Sequence, residues 1–238
     1  MAAKAFDEHK VRSNMSFEIA GEQLRFHERL SQEEWETGSK VWSTALVLAL
    51  LLEKNKGKFG LTRGEGKRCC DVGAGCGLLG VSLCLLAPDV LGSVVLTDLP
   101  GQLPLLRKNV DQNGMEHSGV QQRATVQPLT WGSLEDAAAL EPPFDLIVGS
   151  DVIFREDFVE PLLVSLAALS DHRSTIVLCV EERNEAAHAL FVSTAPSFGF
   201  KVKQLPKKMY ADPETHEFSR VMQLSKKRPA AAAEKVGE

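Results

Sequence analysis

The chain is poor in the residues that build metal centres and disulfide frameworks. Its 238 residues include six histidines and five cysteines. The cysteines (Cys69, Cys70, Cys76, Cys84 and Cys179) are odd in number and contain no Cys-x-x-Cys pair, so neither a zinc site nor a disulfide scaffold is expected. Reduced, buried thiols in a cytosolic protein are the simpler reading. Excess positive charge is also absent: 27 Lys and Arg stand against 32 Asp and Glu, a net charge of −5 and a pI near 5.8. That balance argues against nucleic acid as the main partner, because neutralising phosphates takes a basic face. Long apolar runs are missing. The longest, residues 41–52, includes Ser43 and Thr44, whereas a membrane-spanning helix needs about 20 apolar residues. Residues 1–14 lack the apolar core of a signal peptide. No Gly-Lys-Ser/Thr triplet occurs, which removes the nucleotide triphosphatase loop. The expectation is a soluble, cytoplasmic protein with no membrane partner. Lys226-Lys227-Arg228 reads as a solvated charge run, with nuclear targeting as the alternative.

What is present is enough apolar residue, 44%, for one sizeable core. A single domain is expected over residues 15–225, between a loose leader (1–14) and a frayed tail (226–238). Residues 16–25 alternate Phe17, Ile19 and Leu24 around Ala20-Gly21, which predicts a β-hairpin. Residues 28–40 form a polar connector. Val41, Ala45, Leu48, Ala49 and Leu52 then recur at helical spacing. From Lys67 strands and helices alternate, with strands predicted at 67–72, 93–97, 120–127, 144–150, 174–180, 199–205 and 217–224. Helices are predicted at 78–87, 102–113, 157–169 and 184–195. Alternation of this kind implies right-handed crossovers and a doubly wound α/β fold, Rossmann-like and mostly parallel. No helix separates the last two strands, so an antiparallel C-terminal hairpin is expected. No long exposed apolar stripe is left unassigned, and a monomer is the default.

The most informative segment is Asp71-Val72-Gly73-Ala74-Gly75-Cys76-Gly77-Leu78-Leu79-Gly80, between a strand and an apolar helix. Glycines there let a nucleotide-like ligand approach bare backbone and a helix N-terminus. Gly75-x-Gly77-x-x-Gly80 matches the dinucleotide fingerprint. The next strand ends at Asp98, where a carboxylate can accept hydrogen bonds from both ribose hydroxyls. This pair alone indicates an adenosine-containing cofactor. Two features favour S-adenosylmethionine over a dinucleotide. Asp71 would add negative charge beside a pyrophosphate but suits a ligand carrying an ammonium and a sulfonium. The chain also ends after one α/β unit and a hairpin, with no second nicotinamide-binding half.

With these residues in view the chain resembles the class I (seven-β-strand) methyltransferases, and within them the protein-lysine group called methyltransferase family 16. The resemblance spans about residues 15–225 and rests on Thr37-Gly38-Ser39-Lys40-Val41-Trp42, the Asp71 to Gly80 loop, Thr97-Asp98-Leu99-Pro100, Asn109, Leu129-Thr130-Trp131-Gly132 and Ser150-Asp151-Val152-Ile153-Phe154. It implies that Asp71, Gly73, Gly75 and Gly77 surround the methionine half of S-adenosyl-L-methionine. Asp98 would hold the ribose, Trp131 would lie beside the adenine, and Trp42 would close the methionine end. Leu99 and Ser150, inside the same motifs, complete the expected cofactor contacts. Asn109 reads as helix-to-loop packing.

The same resemblance implies methylation of a lysine on a folded non-histone protein, with Asp151 and Phe154 as the catalytic pair. Asp151 would accept a hydrogen bond from the amine and orient its lone pair. Phe154 would wall the lysine channel; tyrosine is commoner in the family, and its replacement removes a hydroxyl. Glu181-Glu182-Arg183 could line the substrate entrance or be a solvated turn. Tyr210 and residues 212–216 are plausible substrate-facing elements. Two alternatives remain open on the residues: methylation of another nucleophile, such as a protein histidine, an N-terminus or a small molecule, and a catalytically silent cofactor-binding module.

Overall fold

Strand runs as apolar as Cys69-Cys70-Asp71-Val72 and Ile176-Val177-Leu178-Cys179 can be buried on both faces only if helices cover both sides of a sheet. The computed structural model, which describes residues 11–29, 37–210 and 218–227, has that architecture. An N-terminal hairpin, β1 (Val11–Ile19) and β2 (Glu22–Arg29), precedes helix α1 (Ser43–Lys54). The central sheet is built from β3 (Lys67–Val72), β4 (Leu91–Asp98), β5 (Ala124–Pro128), β6 (Leu146–Ser150), β7 (Thr175–Glu181), β8 (Phe200–Gln204) and β9 (Ser219–Lys226). Their spatial order is β5-β4-β3-β6-β7-β9-β8. All pairings are parallel except those of β9, which runs antiparallel to both β7 and β8. Strand order reverses between β3 and β6, so the ligand crevice of such a sheet must open at the carboxyl ends of these two strands.

Two apolar layers flank the sheet. One gathers α1, α2 (Leu78–Leu86) and α3 (Leu103–Glu116) over Cys69, Leu96 and Val148. The other packs α5 (Leu134–Ala139), α6 (Val159–Leu169) and α7 (Glu185–Thr194) over Cys70, Ile147 and Leu178. Helix α2 is buried almost all round, as its unbroken apolar sequence requires. The five cysteines are buried and unpaired. No helix among the described residues is long and apolar enough to cross a membrane.

Three local expectations change. The hairpin is longer than 16–25, and β1 reaches back to Val11, into the stretch expected to be leader. Residues 118–123 form a short helix, α4, so β5 begins at Ala124 rather than at 120. Val120 is fully buried there, but from a helix that Arg123 ties to Leu91 and Pro88 through their carbonyls; one apolar residue does not distinguish the two periods. Helix α5 was not predicted. Its signal was available in Ser133-Leu134-Glu135-Asp136, where the Ser133 hydroxyl accepts a hydrogen bond from the Asp136 N–H as an N-cap. The leader before residue 11, residues 30–36 of the connector, residues 212–216 and the tail from 228 lie outside the described residues.

The hairpin extends because helix α3 supplies the partner its second strand lacks. The Asn109 amide accepts from the His27 N–H (2.8 Å) and donates to the His27 carbonyl (3.0 Å). Asn113 does the same for Arg25, at 3.0 and 2.8 Å. Four residues on a helix rise about 6 Å and two on a strand about 6.6 Å, so the amides match the strand repeat and replace a neighbouring strand's peptide groups. An exposed strand edge is closed in this way. Asn109 also donates to the Cys76 carbonyl at 2.9 Å, tying the hairpin to the glycine loop.

Candidate active site

A cleft of about 250 Å³ opens at the switch point. Its walls are the glycine loop, residues 38–42, Asp98 and Leu99 after β4, Leu129 to Trp131 after β5, Ser150 to Val152 with Phe154 after β6, and Arg183 after β7. Nearly every residue expected from the sequence to bind or act is therefore brought together: Trp42, Gly73, Gly75, Gly77, Asp98, Leu99, Trp131, Ser150, Asp151 and Phe154.

Asp71 is the exception. It sits within β3, fully buried, and one carboxylate oxygen accepts from the Gly80 N–H at 2.9 Å. The other oxygen has no partner. Burial pushes its pKa up to about 7, against the Gly80 bond, with the negative charge of Asp98 adding to the rise. Asp71 thus braces the start of α2 from behind the loop; it does not form the cleft wall.

The loop itself turns through Gly73, Gly75 and Gly77, all at positive φ (68°, 57° and 90°), where L side chains are strained. Gly73 is also needed for space. A Cβ there would lie 2.9 Å from the Trp131 ring and 3.1 Å from Val152. Asp98 holds the loop from the far side, one oxygen accepting from the Gly75 N–H (2.8 Å) and the other from Leu99 N–H (2.7 Å). Burial raises its pKa and these two bonds oppose the rise.

On the opposite wall, Trp131, Phe154 and Phe158 form a cluster with ring centroids 6.5, 6.2 and 5.5 Å apart. Phe158 was not singled out from the sequence; an extended residue, Arg155, and a single turn, 156–158, bring its ring against Phe154. Gly132 N–H is anchored on the Ser165 hydroxyl at 2.9 Å, which fixes the loop carrying Trp131.

Asp151 follows β6 and is the only non-glycine residue of the cleft at positive φ, 57°, a conformation that Asp tolerates better than bulky residues. Its N–H donates to the Cys179 carbonyl at 2.7 Å, so the turn continues the β6–β7 ladder. The carboxylate is buried, 6% exposed as a residue. It accepts a long bond from the Glu181 N–H, 3.4 Å, and an ion pair from the Arg183 guanidinium. Burial raises its pKa, and the Arg183 charge is the chief opposing influence. Arg183 lies over the Trp42 ring, 4.4 Å from the centroid, and also meets Glu181 at 3.2 Å. Trp42 is the residue before α1, not part of its apolar face.

The Glu181-Glu182-Arg183 turn therefore divides. Glu181 and Arg183 face Asp151, while Glu182 turns to Arg220 (2.8 Å) and Lys207 (3.4 Å). Tyr210 does not face the cleft: its hydroxyl donates to the Ser219 carbonyl (3.2 Å) and accepts from Val221 N–H (3.4 Å), so it braces β9.

A doubly wound seven-stranded sheet with a glycine loop, a carboxylate at the end of the neighbouring strand and this reversed C-terminal hairpin defines the class I methyltransferase fold. A solved T. thermophilus 16S rRNA N2 G1207 methyltransferase, in complex with S-adenosylmethionine and guanosine, shares it with a TM-score of 0.59; the match has 19% identity and covers 91% of this chain and 51% of that one. The chain belongs to the lysine methyltransferase family (methyltransferase family 16), whose model matches residues 19–195. Protein N-lysine methyltransferase METTL21A of Mus musculus is 34% identical over 181 residues, 74% of each chain. EEF1A lysine methyltransferase 3 of Xenopus tropicalis is 32% identical over 145 residues, 61% of this chain and 58% of the relative. The protein is an S-adenosylmethionine-dependent protein-lysine methyltransferase. The cleft fits that donor: the glycine loop lines it with bare backbone, and the Asp98 carboxylate stands beside the loop at the end of β4. When bound, S-adenosylmethionine supplies a methyl group on a sulfonium that is already activated for displacement.

Proposed function

We propose that this methyltransferase modifies a lysine on a folded non-histone protein and that Asp151 and Phe154 carry the acceptor chemistry. A lysine amine has a pKa of about 10.4 in water, so it must lose a proton and present its lone pair in line with the donated methyl group. Asp151 accepts a hydrogen bond from the amine and aims it; holding two reactants in line supplies much of the acceleration in such displacements. Phe154, Phe158 and Trp131 wall the approach with apolar faces that strip water from the amine and tolerate its cation. Asp98 holds the ribose, Trp131 borders the adenine, and Trp42 with the glycine loop borders the methionine end.

One observation carries this reading: a buried carboxylate held at a strained turn on the cleft wall, with an aromatic ring three residues later. A relative named for EEF1A lysine methylation supports a non-histone protein as acceptor. The proposed compartment is the cytoplasm, with the nucleus as the alternative, and the proposed state is a monomer. The test is incubation with labelled S-adenosylmethionine and a cell lysate. Label should appear on a protein, map to lysine by mass spectrometry, and vanish with Asp151→Ala. Label on histidine, or undiminished label from the variant, would overturn the assignment.

A further inference from the structure

The buried carboxylate already has a cation beside it. Arg183 pairs with Asp151, contacts Glu181 at 3.2 Å and lies 4.4 Å from the centre of the Trp42 ring. Its base is also held. The Arg183 N–H donates to the Glu181 carbonyl at 2.8 Å. Asn184, next in the chain, caps α7 through Ala187 N–H (3.0 Å) and donates to the Phe154 carbonyl (3.0 Å). The turn after β7 is thereby locked to the turn after β6 that carries the acceptor pair. A guanidinium is charged at every working pH, and its flat face suits an indole.

We propose that Arg183 is a positioning residue that sets the charge state of the substrate: clamped on Trp42 and paired with Asp151, it keeps the acceptor carboxylate ionised while its own charge disfavours a second cation, so that lysine is held as the free amine. The inference rests on the reading of Asp151 as the group that meets the amine. The groups facing Asp151 are Arg183 and Glu181 from the end of β7 and the buried thiol of Cys179. Lys40, Arg155 and Asp98 are the other charged members of the cleft wall. Arg183 alone among them forms an ion pair with Asp151. Two cations sharing one carboxylate lie roughly 5 Å apart, a distance at which like charge shifts an amine titration by about two pH units at the effective dielectric of a protein surface. The proton passes from the ammonium to water. The lysine nitrogen then uses the freed pair to form the N–C bond as the S–C bond of the donor breaks, and the positive charge passes from sulfur to nitrogen.

The arrangement predicts a shift that a merely structural arginine would not cause. The common acceptor is the protein band that the wild-type enzyme labels in a cell lysate, and the single-turnover rate is followed against pH for the full chain. Arg183→Gln should move the midpoint of the rate upward by about one to two pH units, and Arg183→Lys should bring it back toward wild type. Affinity for S-adenosylhomocysteine, read by calorimetry, separates any loss passed on through Trp42 from the shift in the pH midpoint. In 13C-aspartate NMR the Asp151 carboxyl should titrate at higher pH in Arg183→Gln, a reading that needs no acceptor. Arg183→Met serves the same purpose if the glutamine variant does not fold. An unmoved midpoint with a uniformly lowered rate, or an Asp151 titration unmoved by loss of the guanidinium, would overturn the proposal. Full activity in Asp151→Asn would instead overturn the reading of Asp151 on which it rests.

Discussion

The two sides of the cleft hold their carboxylates in different ways. At the glycine loop, Asp98 on the cleft wall and Asp71 behind it are held by backbone N–H groups: Gly75 and Leu99 for one, Gly80 for the other. On the acceptor side, Asp151 has a single long backbone contact and depends on the side chain of Arg183. Backbone donors are fixed by the fold and cannot follow a ligand. The Arg183 guanidinium, clamped on Trp42, instead brings a full charge that acts on whatever shares the carboxylate. The glycine-loop side is therefore a cradle of backbone donors, and the Asp151 side a site governed by side-chain charge.

Four substitutions test that contrast. The largest effect is expected from Asp151→Asn, which keeps the shape but weakens the acceptor; turnover should fall by about 10²-fold or more, the scale of a misaimed reacting group. S-adenosylhomocysteine affinity should be unchanged, and a parallel loss of both would merge the two halves into one unit. Asp98→Ala should do the reverse, weakening cofactor binding by about 1.5–3 kcal/mol, the scale of a charged hydrogen bond. Calorimetry showing unchanged affinity would remove Asp98 from the ribose.

Asn109→Ala should leave both halves in place but loosen their support. His27 and the Cys76 carbonyl lose their partners, at a cost of about 1–3 kcal/mol in urea unfolding. The last effect is a slope. Asp71 holds its proton in the folded chain up to about pH 7, because of its burial, whereas an ordinary Asp releases it near 3.8. The folded state thus binds the extra proton between those values. The stability this contributes is full below the unfolded carboxylate range and is lost as pH rises through about 7. Asp98 and Asp151, also raised by burial, add to the slope with the same sign. Asp71→Asn should flatten the dependence between pH 4 and 7, measured by thermal unfolding; an unchanged slope would show that the carboxylate is solvated or paired.

Local patterns carried most of the architecture. Apolar runs bounded by glycine and charge located the strands near their observed places, and the absence of a helix after residue 205 foretold the reversed hairpin. The site motifs stood at strand ends, where an open parallel sheet collects its ligands, and so could be read before the fold was known. What stayed hidden was whatever depends on residues distant in sequence. Val120 looks the same in a strand or a helix until α4 is seen against Cys84 and Leu91. Asp71, grouped with the loop by adjacency, is taken up instead by the Gly80 N–H at the start of α2 and lies fully buried off the cleft wall. Arg183 was visible only as part of a charged triplet.

Composition, strand and helix periods and the glycine loop thus pointed to the fold class and the kind of cofactor, and the resemblance carried by Ser150 to Phe154 named the candidate acceptor pair, because each depends on residues close together along the chain. The division of labour within the cleft came from tertiary structure alone. Trp42, Asp151 and Arg183 arrive from α1, β6 and β7, and the charge on a buried carboxylate is set by whichever groups the fold brings within a few ångströms of it.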